Sequence, residues 1–167
     1  MKKFLFIIAV LTAQVSFSQN CDSVILHEVD KMDDSQSWSM RDPLIIGDEK
    51  TGIRTNLIMT DANKTLIWIN TAFGAGCIDK GNKIDVLFTD GTKLQLYATG
   101  AFNCQERSVF YFHKAFGTAK YLDTFCEKYI ATLRVWSMKS YNQQDLSEQD
   151  GKDLNAAFNC LRTIKNQ

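Results

Sequence analysis

Five cysteines and two histidines carry most of the reactive potential of this 167-residue chain. Cys77, His113 and Asp79 are the combination that could perform nucleophilic chemistry: a thiolate attacks, an imidazole takes its proton and a carboxylate orients the imidazole. Such groups meet across a fold without sequence adjacency, and the local spacing around Cys77 does not select them. The competing chemistry at Cys77 is a disulfide. Five cysteines cannot all pair within one molecule, so Cys21, Cys77, Cys104, Cys126 and Cys160 leave at least one free or intermolecular. Cys77 and Cys104 stand just outside the two ends of a hairpin over residues 83–97, where the outgoing and returning chains run close together. A Cys77–Cys104 bridge is therefore expected. It would enclose about 28 residues and contribute roughly 3 to 4 kcal/mol on loop-closure grounds. Cys126 and Cys160 fall on or beside the apolar stripes of two helices, where burial as thiols competes with pairing, and Cys21 is expected to stay unpaired or intermolecular.

Metal and phosphate chemistry find little support. His27 with Glu28 and Asp30 lacks the second histidine of a helical zinc motif, and no third ligand joins His27 to His113, so no metal is expected. The glycine-rich run from Gly74 to Lys83 falls short of a phosphate loop, because Gly81 is followed by Asn82 and Lys83 rather than by Lys and a hydroxyl residue. Lys83 opens a strand where a phosphate loop needs a helix, and Asp79 would repel the anion. The dinucleotide spacing also fails, and no cofactor is expected.

Aromatic side chains offer the remaining candidate site. Trp38, Trp136 and Tyr141 are the best placed for ligand binding, since Trp38 lies in a polar stretch and Trp136 alternates against the apolar Leu133 and Val135. Trp68 alternates with Leu66 on a face read as core.

The elements that must position these residues follow from periodicity. Alternation of period two dominates residues 53–112 and implies an antiparallel sheet, whereas helical spacing appears only later. Residues 22–29 form a first strand, and Asp30 to Pro43 a long polar loop. Strands around Ile53–Met59 and Leu66–Ile69 flank an Asp61–Lys64 turn, one of them buried on both sides.

In the 83–97 hairpin, parity decides the turn. A two-residue Asp90-Gly91 turn would put Ile84, Val86 and Phe88 on the opposite face from Leu94 and Leu96, whereas a three-residue loop, Thr89-Asp90-Gly91, pairs Val86 with Leu94 and Ile84 with Leu96. Ser108–Phe112 and Ile130–Met138 read as strands. Helices are expected at 118–129, capped by Thr118, and at 147–164, opened by Ser147 and Asp150 in a short-armed capping box. The fold class is thus α+β: a single antiparallel sheet of about six strands, covered on one face by the two helices.

The leader fixes the address. Lys2 and Lys3, the apolar run from Phe4 to Leu11 and the small residues around Ser16-Phe17-Ser18 read as a secretory signal peptide over 1–18, with a mature chain from Gln19. Residues 19–167 then make one domain that is periplasmic or secreted, where disulfides persist. No small residue directly precedes Cys21, which argues against lipid attachment there. An apolar fraction of 45% with a single proline is that of a folded domain. Cleavage removes two lysines and leaves a net charge near −2, which argues against nucleic acid or an anionic membrane held by bulk charge. No later run is apolar enough to span a bilayer.

Cys77-Ile78-Asp79-Lys80-Gly81, Phe88-Thr89-Asp90-Gly91, Arg134 in a late strand and Cys160-Leu161 together resemble small exported bacterial proteins with no assigned activity. The resemblance covers most of the mature chain and implies an α+β domain, but these motifs are turns and core and carry no catalytic residue across. The residues therefore point to an exported binding or interaction module for a protein or small molecule. A hydrolase or thiol enzyme built on Cys77 and His113 is the alternative.

Overall fold

A computed structural model describes residues 21–62 and 64–166; the expected signal peptide lies outside the described residues. A four-residue helix, α1 (Cys21–Val24), runs into β1 (Ile25–Val29), followed by β2 (Gln36–Met40), β3 (Leu44–Ile46), β4 (Ile53–Thr60) and β5 (Thr65–Ala72). Next come β6 (Lys83–Phe88), β7 (Lys93–Tyr97) and β8 (Arg107–Phe112), a 3-10 turn at Lys114–Phe116 and α2 (Tyr121–Glu127). The chain ends in β9 (Ile130–Trp136), β10 (Tyr141–Asp145) and α3 (Glu148–Lys165).

Helix and strand are mixed as expected, but the strands form two sheets, not one. Six belong to a first sheet ordered β1-β2-β4-β5-β8, with β3 also paired to β4, and four to a second ordered β10-β9-β6-β7. Alternation reports which face of a strand is buried but not which strand lies beside it. The division occurs after β5, where Gly74, Gly76 and Gly81 all take positive φ and turn the chain into the β6–β7 hairpin. That hairpin pairs with β9, while β8 returns to β5.

The hairpin adopts the three-residue register: Val86 lies opposite Leu94 and Ile84 opposite Leu96, with Gly91 at φ 82° and its N–H bonded to Phe88 C=O. The polar stretch 30–43 is not a loop throughout. Its residues 36–40 form β2, because Ser37, Trp38 and Ser39 find partners on β4.

Both sheets turn their apolar faces to the same interior. Trp68 and Phe112 from the first sheet and Phe88 from the second make edge-on contacts with Phe125 of α2, whose ring stacks 4.8 Å from Phe158 of α3. Each such ring contributes about 2 to 3 kcal/mol through burial, so this cluster fixes how the sheets and helices meet.

Helix ends are settled by side chains. Ser147 and Asp150 form the reciprocal capping box at the start of α3. Thr118 does not cap α2. Its hydroxyl bonds Tyr111 C=O and accepts from His113 N–H, while the α2 N-cap position falls to Lys120, which makes no side-chain cap bond. At the other end of α2, Asn155 and Asn159 of α3 donate to the free carbonyls of Phe125, Cys126 and Lys128.

Two disulfides close the chain. Cys77 joins Cys104 with a Cα separation of 3.9 Å. Neighbouring Ile78 and Asn103 exchange both main-chain hydrogen bonds, so Cys77 and Cys104 form the next, closely spaced antiparallel pair. Contrary to the expectation that it stays unpaired, Cys21 joins Cys160 at a Cα separation of 5.5 Å, because α1 packs against α3. Cys126 is the free, buried cysteine.

Candidate functional site

The outer face of the second sheet gathers the richest set of functional side chains. On β6, β7 and β9 the residues Ile84, Val86, Leu96, Leu133 and Val135 point inward, as Asn142 does on β10, so the alternate positions face out and line up in cross-strand rows. One row runs Gln143, Arg134, Asp85, Gln95, each opposite the next in register. Beside it lie Tyr141 opposite Trp136 and Lys83 opposite Tyr97. A shallower row holds Asp145 opposite Thr132 and Leu87 opposite Lys93.

Hydrogen bonds lock this grid. Asp85 accepts from the Trp136 indole N–H at 2.6 Å and from the Gln95 amide at 2.8 Å. Gln95 in turn accepts from the Tyr97 hydroxyl at 2.9 Å, and Thr132 donates to Asp145 at 2.7 Å. Arg134 stands opposite Asp85 yet turns to the other side: its Nε and Nη2 both donate to Gln143 Oε1, and its guanidinium lies 4.8 Å over the Tyr141 ring and 5.6 Å from the Trp136 ring. Trp136 and Tyr141 touch with centroids 4.9 Å apart, and Lys83 Nζ lies 5.9 Å from the Trp136 ring. A depression of about 460 Å³ opens among Asp85, Lys93, Gln95, Thr132, Arg134 and Gln143. Tyr97 and Tyr141 are about half exposed at its margins, at 52% and 51%.

This arrangement can bind. It offers aromatic faces, fixed acceptors at Asp85 and Gln143, and cations at Lys83, Lys93 and Arg134, all on a rigid sheet. Among the described residues no group of three or more His, Cys, Asp or Glu could hold a metal ion.

The residues singled out in the sequence part company. Trp136 and Tyr141 meet on this face, whereas Trp38 lies on β2 in the other sheet, stacked on His27 with centroids 4.9 Å apart and half-buried against the core. His27 also pairs with Gln36 at 3.0 Å. Cys77 is held in its disulfide, so its sulfur carries no thiolate. Asp79 accepts from the main-chain N–H of Lys80, and His113 Nδ1 accepts from Ala115 N–H as cap of the 3-10 turn.

No motif or spacing in the sequence marks Asp85, Gln95, Gln143 and Arg134 as site residues. The hairpin register held half of the signal: the loop that sets Val86 opposite Leu94 also sets Asp85 opposite Gln95. The other half, β9 beside β6 and β10 beside β9, comes only with the sheet. No protein-family model, curated protein or solved structure matches the chain.

Proposed function

We propose that the protein is an exported binding module whose recognition surface is the outer face of the second sheet. The observation that carries this reading is the pair of rows on which Gln143, Arg134, Asp85 and Gln95 lie beside Tyr141 and Trp136. Aromatic rings supply large contact area at low entropic cost, and polar groups already held by neighbours supply directional contacts without reordering. Two disulfides suit an oxidising compartment outside the cytoplasm, and among the described residues no helix is long and apolar enough to cross a membrane. The thiol-enzyme alternative gains no observation, because Cys77 would first have to be reduced.

The test is a screen of small polar and aromatic compounds against the isotopically labelled, oxidised protein, read by amide and indole shifts. Ligand-induced shifts should concentrate on residues 83–87, 93–97, 132–136 and 141–145. Shifts concentrated around Trp38 and His27, or an inert face across the whole screen, would overturn the reading.

A further inference from the structure

Of the two edge strands of the second sheet, β10 and β7, β7 borders a cleft and a group of lysines. Among the described residues, β7 pairs only with β6. The bonds from Phe88 N–H to Thr92 C=O and from Ala98 N–H to Asn82 C=O fix the alternation, so Leu94 and Leu96 direct their main-chain groups to β6, while Lys93, Gln95 and Tyr97 direct theirs away. Thr99 lies next in that outward series, and its N–H reaches Val109 C=O of β8 at 2.8 Å. The two sheets are stitched at this corner and separate beyond it, leaving a cleft of about 300 Å³ lined by Lys80, Gln95, Leu96, Tyr97, Phe110 and Tyr121.

The two walls differ. On β8, Val109 C=O is taken by Thr99 and Tyr111 C=O accepts from the Thr118 hydroxyl at 2.6 Å, so two outward carbonyls of that wall are already used. On β7 the outward groups of Lys93, Gln95 and Tyr97 have no main-chain partner among the described residues. Edge strands are usually blunted by proline, a bulge or a central lysine. Here the only lysine of the strand is its first residue, and Gln95 and Tyr97 stay open.

Charge adds a second constraint. Lys80, Lys83 and Lys93 border the edge, and none is in a salt bridge among the described residues. The nearby acids have other work: Asp85 accepts from Trp136 and Gln95, and Asp79 from the main chain of Lys80.

We infer that β7 accepts an extended segment of a partner protein as a fifth strand. Its apolar side chains would lie over Leu96, Phe110 and Tyr121, and its alternate, acidic side chains on the outer face beside Lys93 and Lys83. Main-chain bonding supplies affinity, while the apolar cleft and the lysines select sequence. This inference is distinct from the face reading: Lys93, Gln95 and Tyr97 border both, but it uses the outward main-chain groups of β7 and the cleft behind them.

The probe is a fluorescein-labelled peptide of four Glu-Val repeats added to the oxidised mature protein, with four Lys-Val repeats as the charge-reversed control. Anisotropy should show the acidic peptide binding at least tenfold more tightly. At saturation, hydrogen exchange at the Lys93, Gln95 and Tyr97 amides should slow at least tenfold, while the Leu94 and Leu96 amides, already bonded to β6, change little. Gln95→Pro removes one outward N–H and leaves the β6 ladder whole, so it should weaken binding at least tenfold more than Gln95→Ala. Absence of binding up to about 1 mM peptide, equal affinity for both peptides, or unchanged exchange at the three edge amides overturns the inference. The exchange result needs no variant to fold. Small-ligand shifts confined to the sheet face, with the edge amides unprotected, would reject the edge and leave the face reading intact.

Discussion

The Trp136 indole N–H donates to Asp85 at 2.6 Å, joining residues 51 apart in sequence on neighbouring strands. Because Asp85 stands opposite Arg134, the contact is a diagonal one, and it leaves the guanidinium free to cover Tyr141. Asp85→Ala should lower stability by about 1.5 to 3 kcal/mol, the range for a hydrogen bond to a charged group. A double-mutant cycle with Trp136→Phe, read by urea unfolding, should return a coupling of at least about 0.5 kcal/mol. Strict additivity would show that the bond does not hold the face together.

The Cys21–Cys160 bridge spans 139 residues and the Cys77–Cys104 bridge 27. Loop closure scales with the logarithm of span, giving about 5 kcal/mol for the first and about 3.6 for the second. Replacing Cys21 and Cys160 together by serine should therefore destabilise the fold more than replacing Cys77 and Cys104. Comparison of the urea midpoints of the two double variants checks the order. Non-reducing peptide mapping should recover both pairs.

Cys126 should be inert in the native protein. Burial pushes its thiol up to about 11 from an ordinary 9, since the thiolate cannot be hydrated between α2 and α3. Alkylation by iodoacetamide should be negligible at pH 7.5 and rise about tenfold per pH unit until about pH 11. Rapid labelling of native protein at neutral pH would contradict it. The neutral thiol is the form that the fold favours, so stability falls as pH rises from about 9 through about 11.

At the hairpin tip, a hydrogen bond from Lys128, at 2.8 Å, holds the Asp90 carboxyl down to about 2, with Thr92 N–H assisting. The folded value lies below the ordinary 3.8, so this contribution is complete above about pH 4 and is lost as pH falls through 2. A carbon-13 titration of Asp90 should show a midpoint near 2 that moves towards 3.8 in Lys128→Ala. Asp90→Asn should flatten the dependence of stability on pH between 4 and 2.

Local order determined much of this protein. Parity alone selects the register of the 83–97 hairpin, since only an odd loop puts Leu94 and Leu96 on the face of Val86. Cys77 reaches Cys104 because both stand just outside the two ends of that hairpin, where the chains run close together, and Ser147 with Asp150 opens α3 through contacts three residues apart. What the tertiary structure decided depends on partners distant in sequence. Residues 36–40 become a strand because β4 is there to pair with them, not because of their own periodicity. Cys21 reaches Cys160 because α1 packs on α3. The face that gathers Asp85, Arg134 and Gln143 exists because β9 lies between β6 and β10. Side-chain alternation encodes which face of a strand meets the core, but strand adjacency is set by how the two sheets and two helices jointly bury Trp68, Phe88, Phe125 and Phe158, a choice no single segment carries.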